Sequence, residues 1–270
     1  MDPILSWGLD VVRWTQGAVN PALTAVMRVL TFSGTEYFFM ALLPLIYWCV
    51  DKRRGLRIGI LVFLSSAVNL GLKLAFAQPR PFNFDPTVQM ADEATYGLPS
   101  GHAQTSAVFW GSAAPLFKWP WGLVLALVLP FLVGLSRVYL GVHFPTDVFA
   151  GWALGALFIV LDRFWGDKIV KVLSGLRDSV ALAAVAAITI VMNLITNNEV
   201  SVSGAFFGLA GGAIYAKKTA PFSISGTFRK RLLRYIVGMA SVAIVYILPK
   251  LLLASVATRG PPIWRSLRYA

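Results

Sequence analysis

Apolar residues in this chain come in runs, and most of the runs are long enough to cross a membrane. They lie at about Phe32 to Val50, Leu56 to Ala77, Gly101 to Phe117, Trp121 to Leu140, Asp147 to Phe164, Val180 to Thr196, Ser203 to Ala216 and Leu232 to Ala257. A helix needs about 20 residues to span the hydrocarbon core, so the pattern predicts an all-α integral membrane bundle of about eight transmembrane helices. Pro21 to Thr31 is a further short apolar segment, which changes the count by one if it inserts. Ahead of it, Pro3 to Asn20 places Ile4, Trp7, Val11 and Trp14 at helical spacing with Asp2, Asp10 and Arg13 between them. That is the pattern of an amphipathic helix lying at the interface, and it lacks the basic start and small-residue cleavage site of a signal peptide. No Ser/Pro/Gly-rich tract divides the runs, so residues 1–270 read as one transmembrane domain with additional C-terminal helices over 179–257.

Composition agrees with a membrane protein: 57% of residues are hydrophobic and 13% charged, against about 25% charged in soluble domains. The 24 Lys and Arg against 12 Asp and Glu do not point to nucleic acid, because basic loops flanking apolar helices are what insertion requires. Fifteen of these cations fall in alternate connections: Lys52, Arg53, Arg54, Arg57, Lys118, Arg163, Lys168, Lys171, Arg177, Lys217, Lys218, Arg229, Lys230, Arg231 and Arg234. The positive-inside rule puts that side in the cytoplasm. Cys49 is the single cysteine and can form no internal disulfide. Small residues at four-residue spacing, Gly204, Gly208 and Gly212 in one run and Gly151 and Gly155 in another, let helices approach closely. Packing within the chain is the first reading of these stripes, and a homodimer contact the second.

Chemistry concentrates in three clusters. Lys73 lies near the end of an apolar run, and Arg80 follows between Pro79 and Pro81. A cation at that depth is costly unless it snorkels or meets an anion, and the flanking prolines stiffen the backbone that carries Arg80. Pro99-Ser100-Gly101-His102 opens the next run, so Ser100 and Gly101 belong at a helix N-terminus, where unpartnered N–H groups suit an anion; Ser100 also suits a simple N-cap. Ser136-Arg137 leads to His143 and, four residues later, Asp147. An Asp that accepts from one imidazole nitrogen leaves the other free to attack. Three cations, a helix N-terminus, both of the chain's histidines and one carboxylate, all at helix ends on the extracytoplasmic side, suit a transferred phosphoryl group.

Lys73 with six residues to Arg80-Pro81, then Pro99-Ser100-Gly101-His102, then Ser136-Arg137 with five residues to His143 and three to Asp147, resembles the three-part signature of the type 2 phosphatidic acid phosphatase superfamily. The resemblance covers Lys73 to Asp147 with no departure at a motif position. It implies a phosphatase without metal or cofactor in which His143 is phosphorylated, Asp147 orients it and His102 protonates the leaving oxygen. Lys73, Arg80, Ser100, Gly101 and Arg137 would hold the phosphate. The longer C-terminal part is similar to the layout of glucose-6-phosphatases and sphingosine-phosphate phosphatases. The expected substrate is a lipid phosphate or diphosphate, of the isoprenoid diphosphate, phosphatidylglycerol phosphate or phosphatidic acid class, drawn from membrane lipids at the extracytoplasmic face. The absence of any Asn-x-Ser/Thr site fits a bacterial plasma membrane. The alternatives are a phosphatase of a sphingoid-base or sugar phosphate, a vanadium haloperoxidase, which the apolar spans disfavour, and an anion transporter, whose charges would lie at mid-depth.

Overall fold

The computed structural model describes residues 2–259, with side chains over residues 2–245. These residues form twelve α-helices: α1 Pro3–Gln16, α2 Pro21–Phe32, α3 Glu36–Leu45, α4 Lys52–Phe76, α5 Pro81–Phe84, α6 Gly101–Ala113, α7 Trp121–Tyr139, α8 Pro145–Leu161, α9 Asp167–Gly175, α10 Asp178–Ile195, α11 Val200–Thr219 and α12 Phe228–Arg259. No strand occurs among the described residues.

Four stretches are long and apolar enough to cross a membrane: Lys52–Phe84, Trp121–Tyr139, Pro145–Gly175 and Asp178–Ile195. A fifth arises if α2 and the stretch Glu36–Val50, which meet at a bend of 52°, act as one broken span. Of the eight expected segments, Gly101 to Phe117 yields a helix of 13 residues closed by a 3₁₀ turn, short of a full crossing. Leu232 to Ala257 falls within α12, and its side chains beyond residue 245 lie outside the described residues.

The chain divides into two compact units. In the first, residues 1–43 and 56–222, α6 packs between α7 and α8, and α10 pairs with α11. Small residues allow the α6–α8 approach: a Cβ at Gly151 would lie 2.6 Å from the Ser100 carbonyl oxygen, and one at Gly155 would lie 2.7 Å from Ala107 Cβ. Positions where Gly204, Gly208 and Gly212 would carry a Cβ have nothing within 4 Å, and the packing face of α11 includes Phe206 and Ala210 instead.

Helix α1 forms as its Pro3 start and Asp2 cap suggest, Asp2 Oδ1 accepting from Ile4 N at 2.7 Å. Ile4, Trp7 and Trp14 remain exposed, while a different face, Leu9 and Val12, joins Val138, Phe144 and Val148 in a core cluster. The helix is therefore docked on α7 and α8, with its aromatic residues left outward.

The two ends of this unit differ. At one end, Arg57 near the start of α4 pairs with Asp162 at 2.7 Å and with Asp167, just past α8. Lys218 at the end of α11 pairs with Asp178 at the start of α10. At the other end, the close of α4 comes near the close of α10, a Cβ at Gly71 lying 3.1 Å from Ile195 O. Arg57 and Lys73 are separated along α4 by about 24 Å at 1.5 Å per residue.

The second unit, residues 44–55 and 223–270, is built on a π turn over Ile46–Val50. Pro44 has no N–H to donate, and a widened turn follows it. The carbonyls left over at Trp48 and Cys49 accept from Arg234 Nη1 at 2.6 Å and Arg231 Nη1 at 3.3 Å. Two cations that the sequence shows only as loop charge thus serve as caps.

Candidate active site

Helix α4 ends at Phe76 because Gln78-Pro79-Arg80-Pro81 cannot continue it: residues preceding proline are pushed out of the helical region. Arg80 then becomes the N-cap of the single turn α5, with Pro81 at its first position, and Arg80 N donates to Asn83 Oδ1 at 2.8 Å. The same device recurs at α8. Phe144 is the N-cap, Pro145 opens the helix, and Phe144 N donates to Asp147 Oδ2 at 3.0 Å. A carboxylate three residues past the cap satisfies an orphan N–H and favours the positive end of the helix dipole.

His143 precedes that cap and is clamped from both sides. Its neighbours Val142 and Phe144 are fully buried, each such side chain stabilising the turn by about 1.5–3 kcal/mol. Gly141 makes the turn possible: it adopts φ +70°, and a Cβ there would lie 1.8 Å from Val88 O. Gln16 of α1 completes the brace, its amide donating to Val88 O and Tyr139 O at 2.8 Å each.

The imidazole of His143 meets Asp147 Oδ2 through Nδ1 at 3.1 Å and the Arg80 guanidinium through Nε2 at 3.2 Å. Arginine has donors only, so Nε2 is the acceptor and Nδ1 carries the proton given to Asp147. Burial, reinforced by Arg80 and Arg137, holds the ring well below its ordinary value of 6.5, which keeps it neutral. The second Asp147 oxygen accepts from Gln78 Nε2 at 2.6 Å.

The remaining cations surround this pair. Arg80 also donates from Nη1 to Val142 O at 2.7 Å, from Nε to Thr95 O at 2.6 Å, and from Nη2 to Thr95 Oγ1 and Glu93 Oε2 at 3.2 Å each. Arg137, in the last turn of α7, donates to Thr31 Oγ1 of α2 at 2.6 Å and pairs with Glu93 Oε1. Its Nε is buried with no partner among the described residues. Lys73 donates to the carbonyls of Tyr96 and Gly97, the latter at 3.2 Å. All three cations are buried.

Ser100 caps α6, accepting from Ala103 N, and its own N–H donates to Asp147 O at 2.9 Å, which ties the start of α6 to the start of α8. Gly101 and His102 fall in the first turn, where amides have no helical partner. The His102 ring makes no hydrogen bond to another described residue and lies within electrostatic reach of Arg137, Arg80, Lys73 and His143. The eight residues singled out from the sequence thus converge on one place. Gln78, Glu93, Thr95 and Thr31 join them and were not foreseen, although Glu93 is one of the few acids near the motifs and Gln78 sits beside Pro79-Arg80-Pro81. Among the described residues no group of three or more His, Cys, Asp or Glu is placed to hold a metal ion.

The buried His–Asp pair and the cations around it bring an oriented imidazole and several fixed donors to one place, which is the equipment phosphoryl transfer requires. Residues 54–169 match the PAP2 superfamily, and residues 200–270 match the transmembrane extension of PAP2 superfamily phosphatases. The chain belongs to this superfamily, and its apolar helices and transmembrane extension mark it as an integral membrane protein. It spans 66% of one curated relative, an undecaprenyl-diphosphatase, and 34% of another, a human sphingosine-1-phosphate phosphatase 2. Over 143 residues it is 38% identical to an undecaprenyl-diphosphatase of Sulfolobus acidocaldarius, the match covering 50% of this chain and 66% of the relative. Phosphatidylglycerophosphatase B of Bacillus subtilis is 33% identical over 163 residues, 56% of this chain and 78% of that one. The crystal structure of a transmembrane PAP2 type phosphatidylglycerolphosphate phosphatase from Bacillus subtilis superposes with TM-score 0.54 at 26% identity, over 63% of this chain and 89% of the other.

Proposed function

We propose that this protein hydrolyses a lipid phosphate or lipid diphosphate through a phosphohistidine on His143. The observation that carries the proposal is the orientation of that ring: Asp147 holds Nδ1 at 3.1 Å, and Nε2 faces Arg80 at 3.2 Å. Nε2 attacks phosphorus, the bond to the leaving oxygen breaks, and His102 supplies that oxygen with a proton. Water then attacks phosphorus as His102 takes its proton, the bond from phosphorus to Nε2 breaks, and inorganic phosphate leaves with His143 restored. Lys73, Arg80 and Arg137, with the Ser100 hydroxyl and the Gly101 amide at the start of α6, hold the equatorial oxygens, whose charge needs several fixed donors. The relatives' names, an undecaprenyl-diphosphatase and a phosphatidylglycerophosphatase, support a lipid substrate of the isoprenoid diphosphate or phosphatidylglycerol phosphate class. The chain works as one phosphatase domain of about eight spans in a bacterial plasma membrane, with the site facing the exterior. The separation of the motif end of α4 from its Arg57 end by about 24 Å supports that placement.

The test is phosphate release by purified protein in detergent, across lipid monophosphates, lipid diphosphates and a water-soluble phosphomonoester, with and without EDTA. Lipid substrates are expected to be hydrolysed in the presence of chelator, and His143→Ala to lose at least a thousandfold in turnover while remaining folded. Near-wild-type activity in folded His143→Ala sinks the mechanism, and loss on chelation restored by a divalent ion sinks its metal independence.

A further inference from the structure

Three buried cations crowd one end of the bundle, and the acids that face them are few. Lys73, Arg80 and Arg137 are met by Glu93 and Asp147, and Asp147 is committed to His143, Gln78 and the cap of α8. An uncompensated buried charge costs several kcal/mol, so a site of this kind holds an anion at all times. In the resting protein that anion is Glu93. Its two oxygens divide between the two guanidiniums, Oε2 on Arg80 Nη2 at 3.2 Å and Oε1 on Arg137 Nη2. One carboxylate bridging two forks is the arrangement a tetrahedral phosphate makes with two of its oxygens.

Glu93 stands on the connection between α5 and α6, and the cations hold the same stretch downstream of it. Arg80 donates to Thr95 O and Thr95 Oγ1, and Lys73 to the carbonyls of Tyr96 and Gly97. The side chain of Glu93 is 21% exposed, against 2% and 3% for the two arginines. The carboxylate therefore lies at the mouth, between solvent and the guanidiniums, on a segment anchored by backbone contacts that do not require it.

We propose that Glu93 is the resting occupant of the phosphate seat, and that substrate binds by displacing its carboxylate from Arg80 and Arg137. The proposal rests on the assignment of those two arginines to phosphate. A phosphomonoester dianion brings twice the charge of a carboxylate to the same donors, so exchange runs towards substrate. Because the carboxylate is tethered, it competes at an effective concentration in the millimolar range. Glu93 thereby sets the apparent affinity for every anion that uses the pair: where the seat is free about one tenth of the time, apparent dissociation constants rise about tenfold.

The experiment compares orthovanadate and inorganic phosphate as inhibitors of the full-length wild type, Glu93→Gln and Arg137→Ala. Glu93→Gln keeps the shape of the side chain and removes its charge. The expected result is inhibition constants for both anions about tenfold lower in Glu93→Gln than in the wild type, with KM for a lipid monophosphate falling alongside. A residue needed to hold the two arginines in position gives the opposite, a seat weakened or unchanged towards both anions, and that outcome overturns the proposal. Should the variant be too unstable to assay, the thermal shift produced by a fixed vanadate concentration replaces the inhibition constant. It must be larger in Glu93→Gln than in wild type, and an equal or smaller shift overturns the proposal as well. Arg137→Ala separates the two levels of inference. It is expected to weaken vanadate, and if it does not, the assignment of phosphate to Arg137 has failed, whatever Glu93 does.

Discussion

The imidazole of His143 is set by two neighbours of opposite kind: an acceptor at Nδ1, Asp147, and a donor at Nε2, Arg80. Both act on the same tautomer, Nδ1–H with a bare Nε2, and burial lowers the affinity of the ring for a second proton. Because the folded value lies below the ordinary 6.5, the folded state binds fewer protons than the unfolded chain as pH falls through that range. Acidification thus costs stability rather than adding to it. In a chain with only two histidines, ¹⁵N-histidine spectra in detergent resolve this directly, with His143→Ala assigning the signals. The His143 ring is expected to remain neutral and Nδ1-protonated at pH 6.5; a half-protonated ring at that pH contradicts the geometry. Residues such as His143, Asp147, Arg80 and Lys73 were legible in the sequence because polar chemistry in an apolar chain stands out, and its spacing survives folding. Gln78, Thr31 and Glu93 were not, because each gains its role only when another element delivers a partner: Asp147 from α8 for Gln78, and Arg137 from α7 for the other two.

At the scale of elements, hydropathy located the long helices and ran past the proline that ends α6. Helix α6 starts at Gly101, as expected, with Ser100 as its cap, and stops at 13 residues because Pro115 follows and the chain tightens into a 3₁₀ turn over Ala114–Leu116. Glycine spacing was likewise readable, yet the pattern alone does not say which stripe is in use. Gly155 meets Ala107 Cβ and the Gln104 carbonyl oxygen at 2.7 and 3.0 Å from its would-be Cβ, whereas Gly208 meets nothing within 4 Å. Gly155→Leu is therefore expected to lower stability by about 3 kcal/mol or more through forced separation of α6 and α8, and to take phosphatase activity with it, since those helices carry His102 and Asp147. Gly208→Leu is expected to leave stability within about 0.5 kcal/mol of wild type. Thermal unfolding of the two variants in the same detergent checks the pair; equal losses contradict the contrast in packing between α8 and α11.

For the molecule as a whole, the distribution of charge along the helices supports the proposed outward facing of the site. In the first unit, Arg57, Lys118, Arg163, Lys168, Lys217 and Lys218 lie at or beyond the helix ends opposite Lys73, His102, Arg137 and Asp147. Arg57 is tied to Asp162 and Asp167, and Lys218 to Asp178. That pairing does not erase the asymmetry, because orientation follows Lys and Arg in short loops while Asp and Glu contribute little. On the proposed orientation the basic end is cytoplasmic, and the connection carrying Thr87 opens on the far side together with Arg80 and Arg137. Both Thr87 and Thr219 are exposed, and Cys49 is the only native cysteine, itself buried. With Cys49 replaced by Ala, a cysteine at Thr87 is expected to react with a membrane-impermeant maleimide in intact cells, and one at Thr219 only after the membrane is opened. The reverse pattern places the site in the cytoplasm and removes lipid carriers exposed at the outer surface from its substrates.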